Sequence, residues 1–342
     1  MQTIFFLHGI GRHNANWHES AANTLKKSRA ALKAPGDFDA LYKPVGLLYD
    51  DLLQEYWSEH ATRAEALASI PLPMDASPLI RRVVEFAQTN PTDEHPWIAQ
   101  WGDAVLYLTT ELGQRIQDRV WHAIITELDA TSTPPFSIIA HSLGTRVIHD
   151  VLQRAYTDPA VENRDLFGKA KVLTQVANVT RATSFDEGHL TSEDMVVHPS
   201  HNSSEGVTDR FINVSHPLDP IAVFRRFRAQ RYTSFLGQLD FSEIECRPED
   251  IVKIEEVHEL TRYLAIPEVA AAIFNGTDID VLGDQDSISA DQVSVARESY
   301  EETTVIGEWE AKFNRVKDLE FESPEDWEHL LKLLEDKDDD GE

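Results

Sequence analysis

The chain has 342 residues, 42% of them hydrophobic, which is enough for one large α/β core and too many for wholesale disorder. Its formal net charge of −28, from 31 basic and 59 acidic residues, argues against nucleic acid as a partner, since neutralising phosphates takes clustered Lys and Arg. The single cysteine, Cys246, excludes an internal disulfide and a cysteine metal cluster. Thr3 to Leu7 is a continuous apolar run of the kind a central parallel strand shows. It starts beside Met1 with no basic segment or small-residue cleavage site, so no signal peptide is expected. No apolar run reaches the length of a membrane span, and a cytoplasmic protein is the expectation.

The first strand runs into His8-Gly9-Ile10-Gly11-Arg12. A helix is expected from Trp17 to Leu32, with Ala21, Leu25 and Leu32 toward the sheet. A second strand falls around Leu41 to Leu48, weakened or bent by Pro44. Asp50 to Leu67 and Leu79 to Gln88 read as helical, with Pro71, Pro73 and Pro78 between them. Val105, Leu108, Leu112, Ile116, Val120, Ile124 and Leu128 recur three or four apart, which predicts one long amphipathic helix over 103–128. Asp103, after Gly102, is its expected N-cap.

Phe136 to Ala140 is a buried strand, and an amphipathic helix follows from Leu143 through Ala155. Between them stands Ala140-His141-Ser142-Leu143-Gly144. Lys169 to Val176 is the next strand. The polar stretch 178–209 reads as a long loop. Arg210 to Val214 is a short strand leading into Ser215-His216-Pro217-Leu218-Asp219-Pro220-Ile221. Ile251 to Val257 is the last expected strand, with His258 directly after it. Leu264 to Phe274 is helical, with Pro267 in its first turn. Residues 275–342 hold 22 acidic and 6 basic side chains, a charge of −16 that leaves −12 for the rest. That tail mixes β-prone pieces at Val293, Val295 and Thr303 to Ile306 with a final amphipathic segment, Trp327 to Leu334.

Ala-His-Ser-Leu-Gly between strand and helix resembles the nucleophile elbow of the α/β-hydrolase superfamily, with Ala140 in place of the first glycine. His8-Gly9-Ile10-Gly11 is similar to the oxyanion loop of its lipase-like serine esterases. The resemblance covers about residues 2–275 and implies an α/β-hydrolase fold, mostly parallel, flanked by helices. Residues 50–100 would then be a helical cap insertion, and 276–342 an acidic C-terminal extension, partly docked. It implies Ser142 as nucleophile, Asp219 as acid and His258 as base, with the N–H groups of Ile10 and Leu143 as oxyanion hole. After Asp219 only His258 and His329 remain as bases; Asp209 and Asp240 stay open as alternatives for the acid. His141 would face away from the reacting side, under the elbow.

The expected activity is hydrolysis of a small-molecule or lipid ester without a cofactor. A thioesterase, amidase or acyltransferase on the same residues is the alternative, as is a non-catalytic scaffold that binds through the acidic tail. His8, His13 and His18 lack metal-ligand spacing, and no phosphate-binding glycine loop is present. The basic stretch Phe224 to Arg231 carries Arg225, Arg226, Arg228 and Arg231. It could take an anionic group; pairing with the chain's own acidic tail is the expectation.

Overall fold

The computed structural model describes residues 1–303 apart from 61, 73–77, 90–95, 131–134, 164–166, 185–194, 203–204, 218, 220–225, 230–234, 236–239, 248–249, 251–256 and 279–286. Among the described residues six strands form one sheet: β1 (Gln2–Leu7), β2 (Tyr42–Leu47), β3 (Phe136–His141), β4 (Ala170–Val176), β5 (Thr208–Ser215) and β6 (Phe241–Glu245). Their order is β2-β1-β3-β4-β5-β6, and every pairing is parallel. The helices are α1 (His18–Ala31), α2 (Phe38–Leu41), α3 (Asp50–Ser58), α4 (Arg63–Ala68), α5 (Pro78–Thr89) and α6 (Pro96–Thr109). They continue with α7 (Leu112–Ala130), α8 (Leu143–Thr157), α9 (Leu260–Ala265), α10 (Pro267–Thr277) and α11 (Ala290–Thr303). The expected α/β class therefore stands, as a wholly parallel sheet between helices.

Strand alternation decides what covers each face. Phe5, Leu7, Phe136, Ile138 and Ala140 join the core built with α3 to α8. Ile4, Phe6 and Ile139 join the core under α1, α9, α10 and α11. Phe5 and Phe6 are both fully buried, which is why β1 reads as unbroken apolar sequence. Truncating either to Ala is worth about 3–5 kcal/mol. Pro44 is tolerated because β2 is an edge strand, where a missing N–H costs no ladder bond on the outer side.

Several expectations change: the helix expected over Asp50 to Leu67 is two, α3 and α4, and the one expected from Leu264 to Phe274 is the end of α9 and α10, which starts at Pro267. The helix over 103–128 is two helices, α6 and α7, because the chain turns at Thr110. The Thr110 hydroxyl accepts from Leu112 N–H at 3.2 Å, and a Cβ on Gly113 would lie 2.0 Å from the Tyr107 carbonyl oxygen. Asp103 is not an N-cap but a buried residue in the interior of α6. β6 was not expected: at the sheet edge its Phe-Ser-Glu-Ile-Glu is only half buried, so polar residues outnumber apolar ones. Val293 and Val295 lie in helix α11, where docking overrides β propensity. Arg297 of α11 forms ion pairs with Asp250 and with Glu268 of α10, and Ala296 is buried.

The expected strand over 251–257 falls almost wholly outside the described residues, as do Arg225, Arg231 and 304–342. Of the basic stretch, Arg226 pairs with Glu245 of β6 at 3.1 Å. No helix among the described residues is long and apolar enough to cross a membrane.

Candidate active site

Ser142 sits in the one-residue turn between β3 and α8, with φ 53° and ψ −128°. A positive φ is costly for a residue with a Cβ and persists only where its surroundings impose it. The imposed contacts are visible. Ser142 N–H donates to Val176 O at 3.0 Å, extending the β3–β4 ladder. Its own carbonyl accepts from Thr145 N–H at 2.9 Å and from the Thr145 hydroxyl at 2.6 Å. Two glycines let the β1 loop close on this turn. A Cβ on Gly9 would stand 2.5 Å from Ser142 Cβ, and one on Gly144 would stand 2.4 Å from the His8 carbonyl oxygen.

Asp219 lies just past the end of β5 and is fully buried. A turn in which Asp219 N–H donates to His216 O at 3.1 Å sets it there. His258 lies two residues before α9 and is partly exposed. Its Nδ1 is 3.0 and 2.8 Å from the two Asp219 oxygens, and its Nε2 is 2.8 Å from Ser142 Oγ. A carboxylate only accepts, so the proton sits on Nδ1 and Nε2 is free to accept from the Ser142 hydroxyl. Asp209 and Asp240, the alternatives for the acid, are engaged elsewhere. Asp209 pairs with Lys171 at 3.0 Å and Asp240 with His201 at 2.7 Å.

Tyr263, one turn into α9, donates to Asp219 Oδ2 at 2.7 Å. It is buried, and burial followed by the Asp219 charge pushes its phenol well above the ordinary value, so it stays a donor. The sequence offered only a tyrosine soon after the histidine.

His141 is not turned away from the site. Alternation along β3 puts it on the face of Ile139, which α9 covers, and its ring centroid is 4.8 Å from that of His258. Burial, then the neighbouring His258, lowers its pKa to about 3. A neutral ring beside His258 adds no competing positive charge.

The β1 loop is built as tightly as the elbow. His8 is buried and stacked on Tyr49, with ring centroids 4.1 Å apart. Its Nδ1–H donates to Gly9 O at 2.8 Å, and its Nε2 accepts from Tyr49 N–H at 3.4 Å. Burial, then His13, lowers its pKa to about 3, which fits that neutral tautomer. The Leu143 N–H, at the start of α8, is among those a helix leaves without an internal acceptor. The Ile10 N–H makes no hydrogen bond among the described residues.

Two cavities, of about 230 and 470 Å³, lie elsewhere: neither is lined by Ser142, Asp219 or His258. Among the described residues no group of three or more His, Cys, Asp or Glu is gathered to hold a metal ion. His329 lies outside the described residues. No family model matches the chain, and the search of curated proteins found none that matches it.

Proposed function

We propose that the protein is a serine hydrolase that cleaves carboxylic esters through an acyl-enzyme on Ser142. One observation carries the reading: an unbroken line of hydrogen bonds from Ser142 Oγ through His258 to buried Asp219, hung on a serine held at positive φ. His258 Nε2 takes the Ser142 proton as Oγ attacks the ester carbonyl. Asp219 holds the imidazole in the required tautomer and stabilises its charged form. The Ile10 and Leu143 N–H groups receive the oxyanion. The alcohol leaves with a proton from His258, which then activates water against the acyl-enzyme.

The order Ser142, Asp219, His258 along the chain supports an α/β-hydrolase arrangement, with residues 50–100 as cap. A fluorophosphonate probe and a panel of p-nitrophenyl esters of graded acyl length test the reading. Wild type should be labelled and turn over esters. Ser142→Ala should lose labelling and drop kcat on the order of 10⁶-fold. An unlabelled wild type would remove the hydrolase reading.

A further inference from the structure

Asp103 has no place in the line of residues above, yet it is a buried carboxylate aimed at the same loop. Its side chain is 2% exposed and reaches out of α6 to three elements. Oδ2 accepts from Gly11 N–H at 3.3 Å, and Oδ1 accepts from Trp57 Nε1–H of α3 at 2.7 Å. The Arg63 guanidinium, at the start of α4, is 3.9 Å from Oδ1. A second carboxylate helps: Asp50, the first residue of α3, accepts from His13 N–H at 3.3 Å. A carboxylate withdrawn from water in a helix interior is costly, so its three partners mark a site where the chain sustains that cost.

What the bond does follows from peptide geometry. In a planar trans peptide the C=O and the next N–H point in opposite directions. The Gly9 carbonyl accepts from His8 Nδ1–H at 2.8 Å, and the Tyr49 hydroxyl, which donates to His8 O at 2.8 Å, lies 3.3 Å from it. The Ile10 N–H must therefore point away from His8 and Tyr49. The next peptide is held the same way. The Ile10 carbonyl accepts from His13 Nε2–H at 3.3 Å while the Gly11 N–H donates to Asp103. The Gly9–Ile10 peptide carries the Ile10 N–H, and the Asp103 bond anchors the peptide after it, so the loop is tied down on both sides of Ile10.

The second tie is the fragile one. Gly11 has φ +111°. Turning the Ile10–Gly11 peptide over would carry that angle to about −70°, and glycine populates both regions. A flipped peptide would aim the Ile10 carbonyl at the Asp103 carboxylate, two acceptors face to face. Asp103 therefore both rewards the present orientation and penalises the other.

We propose that Asp103 is a positioning residue for the oxyanion loop: by anchoring the Gly11 peptide it ties the loop to α6 and so holds in place the Ile10 N–H, which the preceding peptide carries. The helices α3, α4 and α6 then complete the catalytic loop from outside as well as shielding it. This rests on the reading of Ser142 as an acyl nucleophile.

Asp103→Asn is the first test. Asp103 serves Gly11 and Trp57 with separate oxygens, and an amide has one oxygen, so one N–H must face an NH2 group. The expected result is a fall in kcat of about ten- to a hundred-fold with KM within about three-fold, less than the loss of a whole oxyanion donor. Adding Trp57→Phe removes the competing indole N–H and lets the amide oxygen turn to Gly11. That double variant should regain about ten-fold in kcat while losing thermal stability, whereas a merely structural role would lower both. If Asp103→Asn does not fold, Gly11→Ala decides. A Cβ there would meet only His13 Nε2, at 3.8 Å, so space is open and only the φ preference is challenged. The same drop in kcat is expected. A wild type active on esters with either single variant within about two-fold in kcat would overturn the role of Asp103, as would a double variant showing no recovery. A wild type unlabelled by fluorophosphonate would overturn the Ser142 reading and this one together.

Discussion

The proposed nucleophile and its proposed acid–base partners are held by two different kinds of construction. Ser142 is fixed by backbone: a ladder bond to Val176, a strained φ, and two glycine-dependent close approaches from the β1 loop. Beyond the backbone turn that sets Asp219, Asp219 and His258 are held by side chains: the Tyr263 phenol, the Nδ1 contact and the packing of His141. Backbone contacts cannot yield without moving the sheet, while side-chain contacts can be edited one at a time. The difference predicts that damage on one side spreads to the fold and damage on the other stays chemical.

The sharpest test of that contrast is Asp219→Asn. The amide keeps the volume and can still accept from Tyr263, but it no longer enforces the imidazole tautomer. kcat should fall about 10⁴-fold with little change in melting temperature. A variant that instead unfolds would erase the distinction. Gly144→Ala is the opposite case. Its Cβ would meet the backbone oxygens of His8 and Leu7 at 2.4 and 2.8 Å, and neither can rotate away. A loss of about 1–3 kcal/mol in stability should accompany the loss of activity, read by denaturant titration. Unchanged stability would mean that the loop yields more easily than its contacts imply.

A third effect, on stability alone, is acid sensitivity. His8 and His141 are held neutral, with pKa lowered to about 3 by burial and, second, by neighbouring histidines. In the unfolded chain each binds its proton at about pH 6.5. Their contribution is therefore complete above that value and is lost as pH falls, at about 1.4 kcal/mol per pH unit for each histidine. Asp103 and Asp278, raised by burial, act in the opposite sense and reduce the net slope. Melting temperature should still decline between about pH 7 and 5. A flat profile would show that burial does not hold these two rings neutral.

What could be read in advance follows the same division. Ser142, Asp219 and His258 each follow a signal local to the sequence, such as an apolar run ending in small or turn-forming residues. Asp103 offered no such signal. Its partner Gly11 is 92 positions away, and beside Gly102 it looked like a cap. The break between α6 and α7 was hidden because the apolar spacing runs straight through it, while the turn depends on Thr110 and the absence of a Cβ on Gly113. The orientation of His141 required knowing which helix covers the Ile139 face, a matter of packing that no spacing encodes.

The sheet order carries one more consequence, for the sequence of events in folding. β1 pairs with β2 on one side and with β3 on the other, yet α1 to α7 all lie between Leu7 and Phe136. Long-range parallel pairing is intrinsically slow, because the intervening chain must be confined before the pairing repays it. Until β3 arrives, the Phe5–Leu7 backbone has an open flank and neither the turn at Ser142 nor the loop at Gly9 has its counterpart. The proposed active centre is therefore assembled late. A slow folding phase that gains activity and β1 amide protection together would be its kinetic trace.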